Sequence, residues 1–264
     1  MNVVVCVKQV PDVKEVKIDE ETKTLMREGV SSIVNPYDEF ALEEALRIRK
    51  QTGGTVSVIT MGPPQASAAL RRCLAMGADE AHHLCDRSFA GSDTLATSHV
   101  LAAAIKKIGF DLVLCGKQAI DGDTAQVGPE IAEHLGIPHL SYVRKIVLSG
   151  SEEREIIAHS DLGSAVHLFR TSCPVLLTVV KHDNVPLLPS MEDFIAAKQK
   201  RIVTWSAGDI EEALPHCGLE HSPTQVVDIF TPQSGREGRL IRDEGRAAVT
   251  ICDYLVEKGI FPRQ

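Results

Sequence analysis

The 264-residue chain predicts an α/β fold: a doubly wound, mostly parallel sheet with antiparallel additions and an extended C-terminal arm. Three observations carry that prediction. Short β-branched runs alternate with helix-period stretches over about the first 140 residues, the βα alternation that makes parallel crossovers. Aromatic residues are 4% of a chain that is 44% hydrophobic, so Val, Ile, Leu and Ala must build the core, as in strands buried on both faces. Beyond that point strand-like runs follow one another without helices between them, which suits antiparallel additions.

In order, residues 2–7 read as a buried strand, and the segment through Lys8 and Pro11 to Asp12 as its exit loop. Residues 16–34 alternate weakly around Asp19, Glu20 and Glu21, the pattern of a hairpin or an irregular excursion. Asn35-Pro36 opens a helix: Asn is a good N-cap and Pro suits the first helical position. Asp38 and Glu39 then sit in the first turn, where the helix dipole favours negative charge. The helix runs to Gly53-Gly54. Residues 55–60 form a strand, Gly62-Pro63-Pro64 a turn, 65–76 a helix and 80–85 a short strand. Residues 93–108 carry Ala96, Val100, Ala104 and Ile108 at helical spacing, and 111–115 form another buried strand. Short strands follow at 143–148, 155–159, 165–169 and 174–180. From Pro186 the chain is loop-rich, with Pro189, Pro215, Pro223 and Pro232 spaced through it, and it ends in an amphipathic helix over about residues 238–258. The expected division is an α/β domain over 1–185 and an arm over 186–264.

The formal charge of −8 argues against a nucleic-acid binder, which shows a basic face. No apolar run approaches the roughly 20 residues that span a bilayer, and Met1 leads directly into a strand, so the expected location is the cytoplasm, with no membrane insertion. None of the seven cysteines forms a CxxC pair, and they read as reduced, structural thiols. His216, Cys217 and His221 lack the paired spacing of a zinc site, so no metal is expected. His82-His83, at a strand start, reads as a surface or half-buried pair. No catalytic side chain can be named.

In a parallel sheet, ligands bind beyond the carboxyl ends of the strands, here at Cys6 to Lys8, at Thr60 to Gly62, and at Gly116 and Lys117. The most informative stretch is the loop Gly116-Lys117-Gln118-Ala119-Ile120-Asp121-Gly122-Asp123-Thr124-Ala125-Gln126-Val127-Gly128-Pro129. Its small residues let the backbone approach a ligand, and the helix start beyond it suits a phosphate. Asp123 or Thr124 is placed to cap that helix, unless Pro129 marks its first turn. Gln118 follows Gly116-Lys117 where a Walker loop has Ser or Thr, and no GxGxxG follows the first strand. On spacing alone the stretch serves equally as an ordinary loop between a strand and a helix.

Five motifs in order make the chain recognisable: the opening Val3-Val4-Val5-Cys6-Val7-Lys8-Gln9-Val10-Pro11-Asp12, Asn35-Pro36, Thr60-Met61-Gly62-Pro63-Pro64, Ala75-Met76-Gly77-Ala78-Asp79, and Gly116 to Gly128. Together they resemble the beta subunit of electron transfer flavoproteins, well over about the first 140 residues and loosely over the tail. The resemblance implies a Rossmann-like domain holding an adenine nucleotide: AMP in aerobic members, or an FAD reduced by NADH in electron-bifurcating ones. It assigns the nucleotide lining to Cys6, Val7, Asn35, Pro36, Tyr37, Asp38, Met61, Gly62, Gln118, Ala119, Asp121, Gly122, Asp123, Thr124, Ala125, Gln126, Val127 and Gly128. The slim 121–128 loop looks closer to the bifurcating type.

The implied partners are an alpha subunit carrying its own FAD, ferredoxin or flavodoxin, and a flavin-dependent dehydrogenase of the acyl-CoA or hydroxy-acid type. The family's docking loop falls on residues 187–194, with Met191 as the apolar anchor and Lys198, Lys200 and Arg201 following. Glu192 and Asp193 depart from the family pattern and leave the dehydrogenase open. Two other readings remain: a scaffold holding structural AMP, and an ATP-binding regulator of the stress-protein kind, against which the long tail and the five motifs count.

Overall fold

The computed structural model of the protein describes residues 1–12, 17–18, 25–26, 31–149, 154–181, 186–227, 240–242 and 245–261. Its centre is a nine-stranded sheet in the order β11-β10-β9-β12-β8-β1-β6-β7-β13. β1 (Val3–Cys6) pairs in parallel with β6 (Val56–Met61) and β8 (Leu112–Gly116), and β6 pairs in parallel with β7 (Glu80–Leu84). Two short hairpins lie between β1 and the first helix: β2 (Gln9–Pro11) with β5 (Ser32–Val34), and β3 (Lys17–Ile18) with β4 (Leu25–Met26).

β1, β6 and β8 are buried because their apolar side chains alternate into two cores. Val3, Val5, Val56, Val58, Leu112 and Leu114 face one core with α1 (Pro36–Thr52) and α2 (Ser67–Met76). Val4, Ile59, Val113 and Cys115 face the other with α3 (Thr94–Ile108) and α4 (Val127–Leu135). Helices on both faces make the sheet doubly wound, as predicted. Chain order runs β1, β6, β7 in one direction and then returns to β8 on the far side of β1. The crevice between β1 and β8 is therefore the topological switch point, where ligands of such sheets bind.

Helix ends follow their sequence signals with one exception. Pro36 occupies the first turn of α1, Asp38 and Glu39 lie in that turn, Arg49 and Lys50 in the last, and Gly53 at φ 73° ends the helix. Asp93 caps α3, accepting from the Ala96 N–H at 3.0 Å. Asn35 makes no side-chain cap on α1; its carboxamide is engaged elsewhere, as described below.

After α4 the chain departs from a simple antiparallel annex. β9 (His139–Ser149), β10 (Glu155–Asp161) and β11 (Val166–Ser172) are antiparallel, but β12 (Val175–Val179) returns between β8 and β9 and is parallel to both. All five of its residues are buried, which only a central strand allows. The tail also contributes structure: α5 (Met191–Gln199) packs on α2, and β13 (Ile202–Trp205) adds in parallel to β7 at the opposite edge. That addition, with the Trp205 ring 4.8 Å from His82, buries both His82 and His83, deeper than the expected surface or half-buried pair. The chain divides into two compact units, Met1–Ile229 and Phe230–Gln264. The second carries α6 (Ala247–Glu257), shorter than the predicted 238–258.

Candidate nucleotide site at the β1–β8 crevice

The exits of β1 and β8 and the start of α1 converge on one buried carboxylate. Asp38 Oδ2 accepts the Lys8 N–H at 2.7 Å, and Oδ1 accepts the Gly116 N–H at 3.2 Å and Asn35 Nδ2 at 2.9 Å. Burial pushes the Asp38 carboxyl up to about 7, although its three donors and the Lys8 charge act in the opposite direction. Asn35 extends the tie: its Nδ2 also donates to the Gln118 carbonyl at 2.9 Å, and its Oδ1 accepts the Ile120 N–H at 3.2 Å. The carboxamide that might have capped α1 instead holds the 116–128 loop. The fold spends it on a contact 83 residues away in sequence.

The loop itself is pinned at its base and open above. Lys117 N–H donates to the Val179 carbonyl at 2.9 Å, Asp123 N–H to the Ala119 carbonyl at 2.9 Å, and Gln118 Nε2 to Asp123 Oδ1 at 2.6 Å. Asp123 and Ala125 have φ of 51° and 56°, a left-handed conformation that costs a non-glycine residue free energy and that clusters at ligand clamps. Residues 121–124 are exposed. Lys8 Nζ reaches across the mouth to Asp121 at 2.8 Å. At the far end, Gly128 is buried where an added Cβ would sit 2.8 Å from Thr178 Cγ2, so α4 starts hard against the sheet. Gln126, its N-cap residue, provides no side-chain cap, and neither Asp123 nor Thr124 does so. The first-turn N–H groups of Val127 and Gly128 are the kind a phosphate takes.

Of the residues predicted from sequence, the structure brings Cys6, Asn35, Tyr37, Asp38, Gln118, Asp121 and Asp123 together around β1, β8 and α1. Cys6 lies in register with Cys115, within hydrogen-bonding reach, and burial and that neighbour raise the Cys115 thiol well above its ordinary value. Val7 is buried, and its N–H donates to the Ile59 carbonyl at 2.8 Å. Met61 and Gly62 lie one strand over at the end of β6, where the Gly62 N–H donates to the Leu84 carbonyl at 3.0 Å and the Gly62 carbonyl faces His83 Nε2 at 3.0 Å. Near them Thr60 Oγ1 is buried without a hydrogen-bond partner among the described residues. Met191 is on α5, away from this cluster, and its side chain is 75% exposed.

Three residues enter the site besides those assigned to the nucleotide lining. The Lys117 ammonium lies over the Tyr37 ring at 5.2 Å and the Tyr142 ring at 5.9 Å. Tyr142 is held at φ 58°, its N–H donating to Thr178 Oγ1 at 3.2 Å. Gly116 is the third: a Cβ there would meet Asp38 Oδ1 and would lie 2.7 Å from Tyr37 Cβ. The strand-end positions of Gly116 and Lys117 were a usable signal; Tyr142 had none, because it arrives through the pairing of β9 with β12. A separate cavity of about 650 Å³ lies between α1 and β9–β11, lined by Arg47, Arg144, Lys145 and His159 among others, and none of the predicted residues line it. No group of metal-ligating side chains and no helix long and apolar enough to cross a membrane occurs among the described residues.

The residues present fit a phosphate-bearing nucleotide. Gly116 and Gly128 keep the approach slim, uncapped N–H groups open α4, Lys8 and Lys117 supply positive charge, and Tyr37 and Tyr142 supply aromatic faces.

A family model described as the electron transfer flavoprotein domain matches residues 22–210. The chain is 51% identical over 259 residues to the electron transfer flavoprotein subunit beta of Thermoanaerobacterium thermosaccharolyticum, covering 98% of this chain and 97% of that one. It is 50% identical over 265 residues to the caffeyl-CoA reductase-Etf complex subunit CarD of Acetobacterium woodii, covering 99% and 100%. It is 45% identical over 270 residues to Protein FixA of Azorhizobium caulinodans, covering 100% and 95%. With the family model matching residues 22–210 and full-length similarity to these proteins, the chain belongs to the electron transfer flavoprotein family, as a beta subunit.

Proposed function

We propose that this subunit holds FAD in the β1–β8 crevice, accepts reducing equivalents from NADH there, and works as one half of a heterodimer with an alpha subunit. The observation that carries the reading is the 116–128 loop: small, left-handed at Asp123 and Ala125, open at 121–124, and tied to the sheet by Asn35. FAD bound there would supply hydride acceptance from NADH and the division of its two electrons between ferredoxin or flavodoxin and the alpha-subunit FAD. The chain's own residues bind and orient. Asn35, Pro36, Tyr37 and Asp38 set one wall, Cys6, Val7, Met61 and Gly62 the floor, and Gln118 through Gly128 the clasp. Val127 and Gly128 offer main-chain donors to phosphate, and Lys8 is within reach of the same mouth.

The electron path continues to a flavin-dependent dehydrogenase in the cytoplasm, of the acyl-CoA or hydroxy-acid type. The similarity to a subunit of a caffeyl-CoA reductase complex favours the former. Leu187, Leu188 and Met191 are exposed and sit beside the Ser190 cap of α5, an apolar knob on a rigid base. Met191→Asp should weaken dehydrogenase binding at least tenfold in a titration of the heterodimer while leaving its unfolding temperature unchanged. A second reading, AMP as a structural ligand in the same crevice, is favoured by the same phosphate-binding features. Co-purification with the alpha subunit and a count of FAD and AMP per heterodimer decides between them. Two FAD, no AMP and bleaching by NADH is the expected result, whereas one FAD with one AMP would leave this chain a nucleotide-bound scaffold.

A further inference from the structure

We infer that Asp38 is a positioning residue for the crevice: its carboxylate fixes the exits of β1 and β8 and, through Asn35, the loop at Gln118 and Ile120. The inference rests on the crevice being a nucleotide site, and it assigns Asp38 a role beyond lining it.

The hydrogen-bond inventory is the argument. Asp38 is 6% exposed, and both its oxygens are engaged by protein donors: the Lys8 N–H, the Gly116 N–H and the Asn35 carboxamide. Asn35 in turn divides its two N–H bonds between Asp38 and the Gln118 carbonyl and accepts from Ile120, so it too is fully used. Three donors converge on residue 38, and only a carboxylate offers acceptors in both directions. A carboxamide or a protonated acid offers one full acceptor and turns a proton towards the other donors. Either change leaves at least the Lys8 N–H, or the Gly116 and Asn35 pair, without its acceptor in a buried place. Gly116 leaves no room for adjustment, because the carboxylate fills the space that a Cβ would take.

Asp38 therefore orders the crevice when ionised and loosens it when protonated. Its ionisable neighbours come from β1, α1, α2, β8 and the loop after β8. Lys8 from the β1 exit is paired with Asp121 from the loop, Glu39 on α1 is paired with Arg72 on α2, and burial raises the thiols of Cys73 on α2 and Cys115 on β8. Cys6 on β1, Tyr37 on α1, and Lys117 and Asp123 on the loop complete the set of ionisable neighbours. Charge repulsion between an ionised Asp38 and a phosphate ligand would weaken binding as pH rises. Ordering of the crevice predicts the opposite sign, so the two effects are separable.

The test is nucleotide affinity of the heterodimer with its alpha subunit, stripped of the beta-site ligand, for FAD and for AMP separately at about pH 6 and about pH 8. The wild type should bind its nucleotide about tenfold more tightly at the higher pH. Asp38→Asn should bind about tenfold more weakly than wild type at the higher pH, with little change between the two. A wild-type affinity that is flat or falls with pH overturns the inference, as does an Asp38→Asn heterodimer that matches wild type within twofold. If that variant does not assemble, the wild-type pH profile decides alone. A wild type that binds neither nucleotide at either pH overturns the site reading and this inference together, whereas normal binding indifferent to Asp38 and pH overturns only the latter.

Discussion

At the scale of single residues, the site depends on positions where nothing else fits. Gly116 is one of them. A Cβ there would lie 2.7 Å from Tyr37 Cβ and 2.8 Å from the Tyr37 carbonyl carbon, with Asp38 Oδ1 closer still, and all three atoms belong to the first turn of α1. Gly116→Ala must displace the start of α1 and should cost about 1–3 kcal/mol, as overpacking of a closed core does. Denaturant unfolding measures the loss, and an unchanged midpoint would show that α1 yields freely. Asp38 trades stability for order. Its carboxyl is raised to about 7 from 3.8, so the folded state binds the proton more tightly than the unfolded chain. Its contribution to stability is therefore fully present below pH 3.8 and is lost as pH rises through about 7, the reverse of an exposed salt-bridged aspartate. Asn35 was legible as a helix start because Asn-Pro reads that way locally. Its real partners, Asp38, Gln118 and Ile120, include two from a loop that no local pattern connects to it.

At the scale of elements, the segment from Ala207 to Ser222 is strapped across the α3 side of the sheet. Ala207 N–H donates to Asp86 at 3.0 Å, Gly218 N–H to Ser92 at 2.8 Å, and Ser222 Oγ accepts from the Asp93 N–H at 2.8 Å. The centre of the strap is a stack of imidazoles from three elements: His99 of α3 lies 3.7 Å from His134 of α4 and 4.6 Å from His216 of the strap. Burial lowers His99 and His134 below the ordinary 6.5; neighbouring imidazoles add to this at both, while Glu133 opposes it at His134. The folded state thus prefers them neutral. Their contribution is complete above pH 6.5 and is lost as pH falls below it, when the unfolded chain takes up protons first. Amide exchange over residues 207–222, corrected for intrinsic rates, should accelerate between about pH 7 and about pH 5 while that of β6 does not. His99→Gln should flatten the response, and equal acceleration in β6 would assign it to global unfolding instead.

For the whole molecule, every strand of the nine-stranded sheet and both apolar clusters lie within Met1–Ile229. A chain ended at Ile229 should keep cooperative unfolding with a midpoint within about 3 °C of the full chain, a shift corresponding to about 1 kcal/mol for a domain of this size. A loss of cooperativity would show that residues 230–264 complete the fold. The arm expected from residue 186 begins instead with structure that the sheet uses: α5 on α2, fastened where Arg71 bonds to the Ala197 and Lys200 carbonyls, and β13 on β7. These were not legible because their sequences are short and polar on one side, and only a finished sheet edge gives them a place.

The sequence by itself determined the wound half of the sheet, since continuous apolar runs such as Val3–Cys6 and Leu112–Gly116 are stable only when covered on both faces, and it marked the loop after β8 by its small residues. The tertiary structure alone decided that β12 lies parallel between β8 and β9, that β13 closes the far edge, and that Asp38 and Asn35 bind three separate segments into one crevice. The physical reason is range. Periodicity and burial are properties of neighbouring residues, whereas strand order and the partners of a buried polar group depend on which distant segments are free to satisfy them.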